Sequence, residues 1–468
     1  MSEKSQAALL KEKLFLKKEH CSKIMTDEEI KACDLFCEGY KDFLGKSKHE
    51  RDAVETAVAE AEKRGFVPFD KNGSYKPGDK VYLNNRGKAI ILCVFGTQGV
   101  SKGVKIAAAH VDSPRLDLKP NPLYESDEIA LFKTHYYGGI KKYQWTAIPL
   151  ALHGAVVLGD GTRIRVCIGE DKDDPQFVIT DLLPHLAADQ VKEPLASGIK
   201  GEELNVLVGS RPFRDDSESE LVKLNVLNIL FEKYGITEKD FQSAELSLVP
   251  AYEARDVGFD RSMIGAYGHD DKVCAYPEMQ AIFDVGTPTY TSLCIFADKE
   301  EVGSDGNTGM NSAFLSYFVS DLARLEGLEG RDVLSLSECL SADVNVAFDP
   351  TFPQVTEKNN VAFLNHGAVI TKYTGARGKS GTSDASAEFV GKVKRILEKN
   401  NVVWQTGELG KVDQGGGGTV AMYIANLNVD VVDLGVPVLS MHAPFEVVSK
   451  FDVYMTYKAC LAFFGDDE

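Results

Sequence analysis

No stretch of this 468-residue chain approaches the roughly 20 consecutive apolar residues that a membrane-crossing helix requires. The charged N-terminus lacks the apolar core of a secretory signal peptide, so the cytoplasm is the expected compartment. Positive charge is also in short supply: 52 Lys and Arg stand against 70 Asp and Glu, a formal net charge of -18. A surface of that sign repels nucleic acid and anionic membrane, and neither is an expected partner. An acidic substrate would need a local basic pocket. The cysteines number nine and are scattered, and an odd count spread through a long chain argues against a disulfide framework. Several sit in apolar runs such as Ile91-Leu92-Cys93-Val94, where a reduced thiol behaves as a small hydrophobe. Internal repeats and low-complexity segments are absent. The run Gly415-Gly416-Gly417-Gly418 lacks the Gly-Lys-Ser/Thr ending of a phosphate-binding loop, and close backbone approach near a substrate or metals is the better use of it.

What is present is ordinary globular composition, 44% hydrophobic and 26% charged, in a chain long enough for a main domain and a second unit. The first 65 or so residues read as helix: Asp27-Glu28-Glu29 can start one, and Glu50 to Arg64 carries Val54, Val58 and Ala61 at helical spacing. Lys88 to Phe95 and Val104 to His110 read as buried strands. From Leu118 to Val249 the pattern changes to alternating strands with Gly and Pro turns, as in Thr162 to Val166 and Gln176 to Ile179. This region is expected to be an inserted β-rich domain, 118–249, within a discontinuous catalytic domain, 1–117 and 250–468. The polar stretch from Gln190 to Glu220 is expected to include a loop. Beyond Val249, strands are expected at Ser292 to Ala297, Val333 to Leu340, Val420 to Ala425 and Val431 to Leu439. Helices are expected at Asn311 to Leu325 and Phe451 to Phe464. Apolar strands alternating with helices predict an α/β fold with a mixed, mostly parallel sheet covered on both faces.

Five segments place His, Asp or Glu just after a buried strand or in a turn beside one. They are His110-Val111-Asp112-Ser113-Pro114, His269-Asp270-Asp271, Glu300-Glu301-Val302-Gly303, Ser341-Ala342-Asp343 and Met441-His442. Ligands of open α/β sheets bind at the carboxyl ends of the strands, so these side chains converge on one crevice. Two histidines with several carboxylates suit zinc or a similar divalent ion. Each segment alone is weak, because His-x-Asp, Asp-Asp and Glu-Glu are common on surfaces and in turns. The Glu-Glu here, however, closely follows Leu293-Cys294-Ile295-Phe296-Ala297, which a solvated helix face would not do.

In this order the segments resemble the aspartyl aminopeptidase family of di-zinc metallopeptidases. Tyr137-Gly138-Gly139 and Pro184-His185-Leu186-Ala187 support the resemblance, which covers nearly the whole chain. It implies a zinc-exopeptidase-like catalytic domain, an inserted domain used in dimerisation, and dimers assembled into a hollow tetrahedral dodecamer. It implies two divalent ions per subunit, Zn²⁺ first and Co²⁺ or Mn²⁺ as alternatives. His110 and Asp343 would hold one ion, Glu301 and His442 the other, and Asp270 would bridge them, followed by Asp271. Glu300 would be the general base, and Asp112 would orient His110. Without the family these roles still make chemical sense. A bridging ligand should be a carboxylate, and an extended Glu300-Glu301 would point one side chain at metal and the other at water. The resemblance also implies that a histidine from a neighbouring subunit reaches the site, with His185 the first candidate and His135 the next. It implies peptide substrates, acidic N-terminal residues among them, with Lys372 in the segment His366 to Lys379 receiving the acidic side chain; a neutral or broader preference stays open. This chain departs from eukaryotic members at His269, where they carry Leu, at Asp271, where they carry Asn, and at Ala443, where they carry Ser. In the middle-domain motif a second histidine is replaced by Ala188-Asp189. A di-metal deacylase acting on small amides, and a self-assembling shell protein, are the competing readings.

Overall fold

The computed structural model describes residues 5–215 and 218–468. Its centre is a nine-stranded sheet. Ser292–Ala297, Lys105–His110, Glu338–Ser341 and Asp430–Gly435 lie side by side and parallel in the middle. Antiparallel partners flank them, Ala89–Val94 on one side and Ala368–Thr371 on the other. The mixed, mostly parallel centre matches the α/β expectation. Every residue of Lys105–His110 and Ser292–Ala297 is buried, as strands covered on both faces must be.

Period-two alternation sorts these strands between two cores. Ile90, Leu92, Cys294 and Phe296 face the helices Asp27–Lys46, His269–Asp284 and Lys450–Gly465. Ile91, Cys93, Leu293 and Ile295 face Phe314–Leu325. The helix Asp27–Lys46 starts where its sequence says it should, since Thr26 and Glu29 exchange reciprocal side-chain to backbone bonds in a capping box.

A second sheet of seven strands, all antiparallel, begins at Arg115–Ser126 and ends at Ala244–Pro250. It has its own core, which includes Phe132, Trp145, Leu152 and Leu248. The stretch expected to include a loop, from Gln190 to Glu220, also contributes one of its strands, Val206–Gly209, while Asp216 and Ser217 lie outside the described residues. A third sheet of five strands carries the turn that holds His442, between Pro437–Leu439 and Glu446–Ser449.

Three expected strands are corrected. Val333 to Leu340 divides into a short helix, Gly330–Leu334, and the strand Glu338–Ser341. Val420 to Ala425 is a helical turn, Ala421–Ala425. Short apolar runs carry no period that separates buried helix from buried strand, and tertiary packing decides. Val431 to Leu439 is two strands in two different sheets, parted at Val436. Among the described residues, no helix is long and apolar enough to cross a membrane. All nine cysteines are free, and Cys167 is the exposed one.

The helix Glu50–Lys63 begins at His49, whose Nδ1 accepts the Arg51 amide at 3.3 Å. That bond needs an unprotonated Nδ1. Burial pushes this imidazole from 6.5 down to about 4, with the Glu50 carboxylate opposing. The unfolded chain therefore binds a proton across the window from 6.5 to about 4 that the folded chain refuses. Stability is full above the window and falls as pH drops through it, by an amount on the order of 3 kcal/mol. Urea unfolding across that window should show a slope in the native protein that His49→Gln flattens. Equal slopes in both proteins would remove His49 as the source.

Candidate metal centre

Register brings the carboxyl ends of three parallel strands level. Ala297 stands opposite His110, and Ser341 opposite Ala108. His110 closes its own strand, and Asp343 and Glu300 follow shortly after theirs. Lys299, in the left-handed region at φ 68°, then turns the chain into the 3-10 segment Glu300–Val302. The pair is therefore not extended, and Glu300 and Glu301 part company on a turn rather than across a pleat. Asp270 enters from the first turn of His269–Asp284, joined to Asp271 by a cis peptide. His442 enters from its turn at φ 64°.

Asp270 is the geometric centre. Its Oδ1 lies 3.1 Å from His110 Nε2 and its Oδ2 lies 3.2 Å from His442 Nε2. Two sets of ligand atoms gather around it, His110 with Asp270 and Asp343, and Asp270 with Glu301 and His442, each set within 4.8 Å. One carboxylate thus serves both sets with separate oxygens. Glu300 belongs to neither set, and its Oε2 stands 3.8 Å from His110 Nε2. Asp112 is fully buried behind His110, and its two carboxylate oxygens accept the amides of Glu300 and Glu301 at 3.1 and 3.2 Å.

The donor set fits divalent cations. Glu301 Oε1 is buried and makes no hydrogen bond, the same holds for both oxygens of Asp271, and buried Asp270 Oδ1 has only the His110 ring nitrogen beside it. Buried carboxylate oxygens without partners are costly, and metal coordination is one of the few ways to satisfy them. The electrostatics agree. Burial pushes the Glu300 carboxyl up to about 7, with His110 pulling it back and Asp112 and Asp270 adding to the rise. Burial holds Glu301 and Asp343 well above the usual carboxylate range, the charges of Asp270 and Asp271 respectively adding to it. Burial also opposes charge on His442, but Asp270 outweighs it and lifts the imidazole to about 10. The cluster holds more negative charge than two imidazoles offset. Imidazole and carboxylate without thiolate is the donor chemistry of zinc and its harder neighbours.

All seven residues expected at the centre, His110, Asp112, Asp270, Glu300, Glu301, Asp343 and His442, are brought together. Lys372, His185 and His135 are not: each is exposed and none lines the cavity of about 420 Å³ above the cluster. Gly416, Gly417 and Gly418 do line it, the close approach that their sequence suggested. Sequence reasoning missed Glu446 as a site residue. Its carboxylate is buried and accepts the amide of His442 at 2.7 Å and that of Asp270 at 3.1 Å, bracing two of the clustered side chains from behind. The signal was the glutamate that ends Ala443-Pro444-Phe445-Glu446 after Met441-His442, where the resembled family also carries Glu; a lone glutamate at a strand start is otherwise ordinary.

Two imidazoles and a set of underbonded carboxylates, gathered beneath an open cavity at the carboxyl ends of the central strands, are the donor set of a metal-dependent enzyme. The comparisons with known proteins name the family. The sequence profile described as aminopeptidase I zinc metalloprotease (M18) matches residues 43–464. A probable M18 family aminopeptidase 1 of Clostridium acetobutylicum is 49% identical over 448 residues, 94% of this chain and 96% of that protein. The crystal structure of an M18 aminopeptidase from Thermotoga maritima superposes with a TM-score of 0.92 at 43% identity, covering 96% of this chain and 99% of that one. A yeast aminopeptidase 1 solved as a dodecamer shares the fold at 20% identity, with a TM-score of 0.75 over 93% of this chain and 97% of that one. The chain belongs to the M18 family of zinc aminopeptidases and is a metal-dependent peptide hydrolase.

Proposed function

We propose that this aminopeptidase uses two divalent ions held around Asp270, one by His110 and Asp343 and the other by Glu301 and His442, and that it favours neutral N-terminal side chains. The sharing of one carboxylate between two ligand sets carries the first half. When bound, such ions supply an acidified water and a polarised scissile carbonyl. The chain's own residues do the rest. Glu300, outside both sets and half-buried beside them, takes the proton from the attacking water and passes it to the departing amine. Asp112 holds the turn bearing Glu300 and fixes the His110 ring. The acidic floor of the cavity suits the substrate's N-terminal ammonium.

The walls carry the second half. Val344, Leu409, Met422, Tyr423 and Met441 line the cavity, and none of the described lining residues is Lys or Arg. An acidic side chain would meet no Lys or Arg there, and Lys372 stands outside. Release of p-nitroaniline from a panel of aminoacyl anilides should favour Leu and Met over Asp and Glu by roughly tenfold or more, the scale set by burying a neutral side chain instead of an unpaired charge. It should vanish with chelator and return with Zn²⁺ or Co²⁺. Faster turnover of the acidic anilides would reverse the specificity reading. Silence on every free-amine substrate at full metal load, with turnover of N-acylated amino acids, would replace the aminopeptidase with a deacylase.

We further infer that residues 118–249 form an inserted unit through which subunits dimerise on the way to a tetrahedral dodecamer. The separate core and the exposed Leu182, Leu183, Leu186, Val191 and Leu195 support this, as does the dodecameric yeast relative. His185 sits on the same exposed strip and is the histidine best placed to face a neighbouring subunit, with His135 second.

A further inference from the structure

The clustered residues lean on the seven-stranded sheet. Its strand Ile129–Tyr137 ends at the site, and Gly138 and Gly139 follow. Tyr137 Oη donates to Asp112 Oδ2 at 2.8 Å. The same carboxylate already holds the amides of Glu300 and Glu301 and lies 3.3 Å from His110 Nδ1. Two residues on, the Gly139 carbonyl oxygen lies 2.8 Å from His442 Nδ1. A carbonyl only accepts, so it keeps a proton on Nδ1 and makes Nε2, which faces Asp270 and Glu301, the nitrogen left to bind a metal.

We propose that Tyr137, Gly138 and Gly139 are positioning residues for the metal centre, so that catalysis depends on the placement of the seven-stranded sheet against the catalytic one. The two glycines let the backbone come close to the clustered residues. Gly138 is left-handed at φ 73°, and a Cβ there would stand 3.0 Å from Glu301 Oε2. A Cβ on Gly139 would stand 3.2 Å from His442 Nδ1. A side chain at either position would press on the residue that this backbone touches and push it by a few tenths of an ångström. Tyr137 is itself held in place. The Arg115 guanidinium lies 4.0 Å from its ring centroid, and is anchored in turn by Glu50 and Asp117 at 2.9 and 2.8 Å. The hydroxyl therefore reaches Asp112 from a rigid mount rather than from a swinging side chain.

The inference rests on the two-ion reading of the site, and the test separates the two. Tyr137→Phe keeps the ring on Arg115 and deletes only the donor. It should lower kcat by roughly 10- to 100-fold, the range usual for groups that orient metal ligands, with KM within about twofold. Thermal unfolding should stay within about 2 °C of the native value. Gly139→Ala should weaken Zn²⁺ binding by roughly tenfold in a competition titration and shift the visible absorption of the Co²⁺-loaded protein. Tyr136→Phe, at the exposed neighbouring position, should change none of these. Native kcat in Tyr137→Phe together with native Zn²⁺ affinity in Gly139→Ala would overturn the proposal. So would losses of activity that track losses of unfolding temperature, the mark of general damage to the fold. A native chain that takes up no Zn²⁺ would overturn the two-ion reading, and this inference with it.

Discussion

Glu300→Gln is expected to lower kcat by ~10³-fold while the protein keeps its full complement of zinc, since a positioned general base contributes about 10²–10⁴-fold. Glutamine preserves volume and the hydrogen-bonding outline but cannot accept a proton from water. Glu300 lies in neither ligand set, so its loss should leave metal content unchanged. Burial, with the charges of Asp112 and Asp270, raises the proton affinity of its carboxyl, the direction that a general base needs. kcat and kcat/KM should fall together, because the interaction is made in the transition state and not in substrate binding. Steady-state kinetics on a leucyl anilide, paired with zinc determination on the same sample, is the measurement. If zinc falls along with activity, Glu300 is a ligand and the base is elsewhere.

Asp270→Asn is expected to be the most damaging change to metal binding. Among the described residues, Asp270 alone faces both imidazoles and belongs to both ligand sets. An amide oxygen is a weaker donor and removes one negative charge from between two cations. Leaving the buried partners uncompensated should cost roughly 3–5 kcal/mol, or about 10²–10³-fold or more in affinity. Both ions should be lost, so zinc stoichiometry by calorimetry should drop toward none. Glu301→Gln and Asp343→Asn, each in a single set, should weaken one ion each and leave the other. An Asp270→Asn protein that retains one tightly held ion would show that the carboxylate does not bridge.

Much of the site was legible because its chemistry leaves marks in the chain. Imidazoles and carboxylates directly after all-apolar strands are unusual, and His110 and the Glu300-Glu301 pair stand where Lys105–His110 and Ser292–Ala297 run out. The central strands were legible for the same reason: burial on both faces demands unbroken apolar residues. What misread was short. Val420 to Ala425 looks like a strand and folds as a helical turn, since five or six apolar residues satisfy either geometry and only their neighbours choose. The pairing of Glu300 and Glu301 across a pleat was misread because nothing local announces that Lys299 turns left-handed. Lys372 was chosen for its charge, and charge in a sequence carries no address; the residue is exposed and apart from the cavity.

The sequence by itself determined which imidazoles and carboxylates the fold gathers into one cluster and, through the order of its motifs, the family to which the chain belongs. The tertiary structure alone decided how those atoms are shared and held. That Asp270 serves two ligand sets follows from distances of 3.1 and 3.2 Å to histidines 160 and 172 positions away in either direction along the chain. That Glu446 braces Asp270, and that the Gly139 carbonyl orients His442 across 303 positions, are equally invisible before folding. The reason is physical. Donor identity is a property of single side chains, whereas sharing, tautomer and cavity polarity depend on sub-ångström placement that sheet register and close packing impose on residues far apart in the chain.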